Sequence, residues 1–183
     1  MHFTHTPGRL ARPLLLLLLA GVVTSGHARG TYQTPHSFIT EAFAGEPPTA
    51  QKIWLSGELG ATYREVMQES PPQLRLRYWR REERSAWILQ AIGKTHPITA
   101  GFIVNNGKLE QARVLVFQES RGWEIRYPFF TRQFKQVGLN EGKALDSHID
   151  TITGATLSVR AMTNMARMAL LLAEQVTPPH DTP

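Results

Sequence analysis

An α+β fold, with an antiparallel sheet of about four strands covered by a long C-terminal helix and shorter helices, is what this sequence predicts. Two observations carry the prediction. Between Leu74 and Phe117 four strand-like runs follow one another with only short turns between them, which favours antiparallel neighbours. From about Leu157 to Val176 apolar side chains recur at helical spacing with charge on the opposite side, so one helix lies over a sheet face. With 183 residues and 42% hydrophobic content there is room for one domain with a real core.

Composition narrows the function classes. The net charge of +5 falls to +3 once the two arginines of an N-terminal leader, Arg9 and Arg12, are set aside. That excess is mild, and no aromatic-basic recognition motif accompanies it, so nucleic-acid binding is not indicated. The absence of cysteine excludes disulfides, a thiolate metal site and lipoprotein acylation. The seven histidines are scattered, with no i, i+4 pair in the mature region, which argues against a metal centre.

Residues 1–28 read as an export signal. Arg9 and Arg12 form the basic start, Leu14 to Val23 the apolar core, and Gly26-His27-Ala28 a small-residue cleavage site. The apolar run is short for a bilayer span, and without a twin-arginine pair general secretion is expected. The protein is therefore expected in the periplasm, membrane-associated if the leader stays attached. The domain then occupies 29–177, with 178–183 a disordered tail.

Within the domain, Ser37 is a candidate cap for a short helix carrying Phe38, Ala42 and Phe43. After a short segment at Ile53–Leu55, Ser56 can cap a second helix with Leu59, Tyr63, Val66 and Met67 on one face, stopped by Pro71-Pro72. Leu74 to Tyr78 alternates apolar and basic residues as a half-buried strand does. A charged turn at 80–84 leads to the nearly all-apolar run Ala86 to Ile92, which suits a central strand. Ile98 to Val104 and Leu109 to Phe117 flank Asn106-Gly107, a strong hairpin signal. Pro128 opens a short helix with Phe130, Phe134 and Val137 on one side, closed by Gly138. A polar connection over 139–149 follows. Trp54, Trp79 and Trp87 are expected in the core or on a sheet face.

The chemistry concentrates in Asp150-Thr151-Ile152-Thr153-Gly154-Ala155-Thr156, directly before the last helix. A helix start leaves backbone N–H groups without intrahelical partners, and with the positive end of the helix dipole they favour an anion. Gly154 permits positive φ and close approach, Ala155 adds no bulk, and Thr156 presents a hydroxyl there. The simpler reading of such a threonine is an N-cap. Asp150 can bond loop N–H groups in an Asx-type turn whether or not a ligand binds.

This stretch resembles the flavinylation motif of the FMN-binding domain family, in which the last Thr carries FMN through a phosphoester bond. Asp150, Thr153, Gly154, Ala155 and Thr156 match its positions. The family includes FMN-carrying subunits of the Rnf and sodium-translocating quinone reductase complexes and many small secreted bacterial proteins. Similarity to the secreted branch extends over Phe38 to Phe43, Ile53 to Leu55, Arg77 to Trp79, Ala86 to Pro97, Glu119 to Phe134 and the terminal helix. In the respiratory-complex relatives a strand-end loop resembling E-T-P-G-L-G approaches the flavin. Here Glu119, Ser120 and Gly122 correspond, whereas Arg121 replaces Pro, Trp123 replaces Leu and Glu124 replaces the last Gly. Core packing and flavin contact are equally open to Trp123, and Tyr127 and Phe129 are further ring candidates.

The resemblance implies a periplasmic electron carrier with FMN on Thr156 and no catalytic residue for a substrate of its own. No base stands beside Thr156, so the chain looks like a substrate for modification, and the resemblance implies an ApbE-type flavin transferase as the modifying enzyme. It would take FAD, join the FMN phosphate to the threonine oxygen and release AMP. A membrane reductase or quinone-linked protein and a haem or flavin acceptor are the implied redox partners. One rival is a flavin-dependent reductase of a small substrate, for which Tyr127 or His96 would be the proton donors to test. Another is a non-flavin periplasmic binding module in which Thr156 is only a cap.

Overall fold

The computed structural model describes residues 1–2 and 30–177, so the leader and the tail beyond Thr177 lie outside the described residues. Six antiparallel strands form one sheet in the order β1-β6-β5-β4-β3-β2. They are β1 Gly30–Thr31, β2 Gln51–Trp54, β3 Arg75–Arg81, β4 Arg84–Ile92, β5 Pro97–Asn105 and β6 Lys108–Phe117. The four central strands are those expected. The two edges correct the count. β1 is two residues long and pairs with Val116 and Phe117, and β2 pairs with Arg75 to Tyr78. Neither has enough alternating residues to announce itself, since each exists by pairing with a longer neighbour.

The turns follow residue chemistry. Asn106 and Gly107 take φ of 49° and 70°, the left-handed pair that a two-residue hairpin twisting with its strands requires. The charged 80–84 segment shrinks to Glu82-Glu83, because Arg81 and Arg84 already face each other in the ladder. β5 is covered on both faces from Ile98 to Val104, which explains its unbroken apolar run.

Helices cover both faces of the sheet, where one covered face was expected. On the first face lies α4 (Thr156–Val176), with α2 (Gly57–Met67) beside it. α4 buries Val159, Met162, Ala166, Ala169, Leu170 and Ala173 as its pattern predicted, and also Met165, Met168 and Leu172. It is gripped on more than its sheet side: Arg167 Nε donates to the Lys143 carbonyl at 2.6 Å, and Lys143 pairs with Glu174 at 2.7 Å. The 139–149 connection is thereby strapped across the helix.

On the second face α1 (Pro35–Ala42) forms its own cluster, packing Phe38, Ile39, Ala42 and Phe43 against Ala86, Ile103 and Leu115. A Cβ at Gly101 would lie 2.5 Å from the Phe38 ring, so β5 needs glycine where α1 seats. The cap of α1 is Thr34, not Ser37: its hydroxyl accepts from the Ser37 N–H at 3.1 Å, and Pro35 occupies the first helical position. The expected helix from Pro128 is two short pieces, one α turn α3 (Pro128–Thr131) and a 3-10 turn Arg132–Phe134, preceded by a 3-10 turn Trp123–Arg126. Phe130 and Phe134 are buried and meet edge to face at 5.4 Å. Trp87 is fully buried and stacks on Tyr78 at 4.9 Å, while Trp54 lies on the sheet's outer strand, 60% exposed beneath Arg75.

Candidate functional site at the start of the long helix

Gly154 explains how the chain enters α4. The Ala155 N–H donates to the Ile152 carbonyl at 2.9 Å, closing a four-residue turn whose third residue is Gly154 at φ 83°. The Ala155 carbonyl then accepts from the Val159 N–H at 2.9 Å and the helix begins. The helix therefore starts at Thr156, with Ala155 in the capping position and no side chain to cap it.

Two consequences follow. The N–H groups of Thr156, Leu157 and Ser158 find no acceptor among the described residues, although each is in the first turn. The Thr156 side chain is exposed and makes no hydrogen bond among the described residues, so it is not serving as an N-cap. A Cβ at Gly154 would meet nothing within 4 Å, so space lies open beside the turn. Open donors, a hydroxyl and free space are the features a phosphate group would need there.

The Glu119 loop comes to the same place. Gly122 is buried at φ 84°, and a Cβ there would lie 2.6 Å from Ser158 Oγ and 3.5 Å from the Ala155 Cβ. Glycine is required for both reasons, conformation and contact. The two sequence blocks singled out, 119–123 and 150–156, thus touch through Gly122.

Glu119 does something else. It is 5% exposed, and its Oε1 accepts from the N–H groups of Lys94, Thr95 and His96 at 2.6, 2.5 and 2.8 Å, while Oε2 accepts from the Thr95 hydroxyl at 3.0 Å. Burial by itself would raise its pKa, but these donors to the charged form win and hold it at about 2. The carboxylate ties the β4–β5 turn to the end of β6 and so fixes the loop carrying Ser120 and Gly122. His96 is part of this knot, with Nδ1 2.9 Å from Thr95 Oγ1 and 3.5 Å from Glu119 Oε2.

Trp123 is half-buried against the main core and meets Tyr127 edge-on at 5.5 Å. Arg126, which the sequence reading passed over, lies among three rings: its guanidinium carbon is 4.6 Å from the Tyr32 centroid, 4.8 Å from Tyr127 and 5.5 Å from Trp123. It also donates to the Tyr127 hydroxyl at 3.1 Å, the main reason its pKa is raised. The cation with a defined place among these rings is therefore Arg126, while Arg121 is exposed. A W-x-x-R-Y spacing on one helical turn was the available signal. Phe129 at 60% exposure and Leu157 at 37% add apolar surface, Leu157 directly following Thr156.

Asp150 and Thr153 are exposed, and Ser120 is too. Asp150 is positioned through its backbone, its N–H donating to Gln133 Oε1 at 2.7 Å, with His148 Nε2 3.9 Å from its carboxylate. Gln133 and Ser158 were also missed, because only the folded chain brings them to the motif.

These features define an α+β domain with an anion-receptive helix start beside an aromatic loop. Residues 93–171 match the model of the FMN-binding domain family, a match that supports FMN as the cofactor. The match runs from the turn held by Glu119 through both site blocks and most of α4. No curated protein matches the chain.

Proposed function

We propose that this protein is an exported electron carrier that holds FMN covalently, through a phosphoester to Thr156. The observation that carries the reading is the exposed hydroxyl at the first position of α4, which with three neighbouring backbone N–H groups has no hydrogen-bond partner among the described residues. In attachment, the Thr156 oxygen bonds to the FMN phosphorus of FAD, the anhydride bond to the AMP half breaks, and the hydroxyl proton leaves to a base of the transferase. The base would be supplied by an ApbE-type transferase, a reading supported by the lack of a base hydrogen-bonded to Thr156 among the described residues. Thr153, Gly154 and Ala155 would shape the approach to that oxygen, and Asp150 would present its carboxylate for recognition.

Once bound, the flavin supplies one- and two-electron chemistry, and the protein's task is to orient it and tune its potential. The Gly122 loop, Trp123 and its neighbours Tyr127 and Phe129 are the surfaces available for the ring. Glu119 would act indirectly, by holding Ser120 and Gly122 in place. An exposed site suits exchange with redox proteins, namely a membrane reductase or quinone-linked donor and a haem or flavin acceptor. It suits a closed chemical step less well. Tyr127 Oη already accepts from Arg126 and His96 belongs to the Glu119 knot, which leaves the small-substrate reductase the weaker reading. The expected location is the periplasm, reached by way of the 1–28 leader.

The test is intact-mass analysis of protein co-produced with a flavin transferase. The wild type should gain an FMN-sized increment that digestion maps to Thr156, and Thr156→Ala should gain none. An unmodified wild type overturns the covalent reading.

A further inference from the structure

Among the described residues, the outer edge of β6 is covered at its two ends and bare between them. At one end Tyr32 and Gln33 donate their N–H groups to the Leu115 carbonyl at 2.8 and 3.3 Å, after which the chain leaves the edge to enter α1. At the other end Leu109 exchanges hydrogen bonds with Val137 and Gln136 at 2.8 and 2.7 Å. From Glu110 to Val114 no backbone hydrogen bond among the described residues reaches this edge from outside the sheet. An unpaired edge is a template for another strand, and proteins ordinarily hide or block one.

Here the edge floors a cleft of about 770 Å³, whose far wall is the helical segment containing Arg126, Arg132 and Lys135. The other ionic side chains at the cleft are already paired: Arg113 with Glu41 at 2.7 Å, and Glu110 with Arg84 at 2.8 Å. Arg126, Arg132 and Lys135 have no carboxylate within salt-bridge distance among the described residues. Five residues of strand give a slot of roughly 16 Å at the usual rise per residue. A slot with strand-pairing groups on one side and unneutralised cations on the other fits an extended acidic segment.

We propose that an acidic, extended segment of a protein partner docks here as an added strand along Glu110–Val114, its carboxylates meeting Arg126, Arg132 and Lys135. Main-chain pairing supplies affinity in this mode, and the flanking charges select the sequence. Arg126 also touches the Trp123 and Tyr127 rings, so the docked segment would lie beside the aromatic loop of the candidate site. The docking does not depend on the flavin and can be tested on flavin-free protein.

The probe is a fluorescein-labelled peptide of alternating Glu and Val, titrated onto the full chain by anisotropy, with amide exchange followed by NMR. Controls are a peptide of equal charge interrupted by prolines, a Lys-Val peptide, and vesicles containing anionic lipid. Binding by the Glu-Val peptide alone is expected, with slowed exchange at amides within Glu110–Val114. The Arg132→Glu, Lys135→Glu double variant should bind roughly tenfold or more weakly with an unchanged circular dichroism spectrum. Equal binding of the proline peptide or of anionic vesicles, unchanged exchange at β6, or an unaffected double variant would each overturn the proposal.

Discussion

The starts of α1 and α4 use threonine in opposite ways. At α1, Thr34 stands outside the helix and its hydroxyl accepts from the Ser37 N–H, satisfying one of the donors a helix start leaves open. At α4, the threonine has moved one place inside, to the first helical position, and the capping place belongs to Ala155. α2 is intermediate: Ser56 makes no capping bond, but Glu58 in the first turn offsets the dipole. α4 alone among the three has neither device, and it is the longest, at 21 residues. An uncapped start on the longest helix leaves donors open there, which is what the proposed phosphate attachment would use.

The contrast can be broken from several sides. The largest effect is expected at the knot beneath the site. Glu119→Gln replaces an acceptor-only carboxylate facing three N–H groups, and should cost about 3 kcal/mol by denaturant unfolding at neutral pH. Because the carboxyl is held at about 2 instead of its ordinary 4.5, its contribution is present above pH 4.5 and fades as pH falls toward 2. The wild type should therefore lose stability across that window more steeply than the variant.

Next come the glycines. Gly122→Ala meets both a left-handed φ and the Ser158 side chain, and should destabilise by about 2 kcal/mol while lowering flavin loading. Gly154→Ala pays only for its φ, because nothing lies within 4 Å, and about 1 kcal/mol is expected. Equal costs at the two would mean that the contact of the Gly122 loop with α4 is unimportant.

The smallest stability changes sharpen the comparison itself. Thr34→Ala should cost about 1 kcal/mol in thermal or denaturant unfolding. Thr156→Ala should change stability by less than about 0.5 kcal/mol, since no bond is lost. A loss at Thr156 as large as that at Thr34 would show a structural cap after all. Ala155→Asp would place a cap where one is missing, but at a residue only 3% exposed the buried carboxylate outweighs it. A net loss of about 1–3 kcal/mol, larger than either threonine change, is expected in denaturant unfolding.

Much of this could be read along the chain. The hairpin at Asn106-Gly107, the central runs Ala86 to Ile92 and Ile98 to Val104, and the stripe of α4 are encoded by residues a few positions apart, where backbone preference and burial period act directly. The position of Thr156 at a helix start was equally local. Trp54 could be read only as core or sheet face, because an aromatic on a strand says nothing of whether that strand lies at an edge.

Sequence by itself determined the α+β class, the four central strands, the long helix and the threonine at its head, since each rests on short-range spacing and turn chemistry. Only the tertiary structure decided that Gly122 has no room for a side chain beside Ser158, that Glu119 ties the β4–β5 turn, that Arg126 joins three rings, and that no described backbone pairs with the outer edge of β6 between Leu109 and Leu115. Those facts come from residues tens of positions apart meeting in space, and such meetings are set by how layers pack, which no local pattern records.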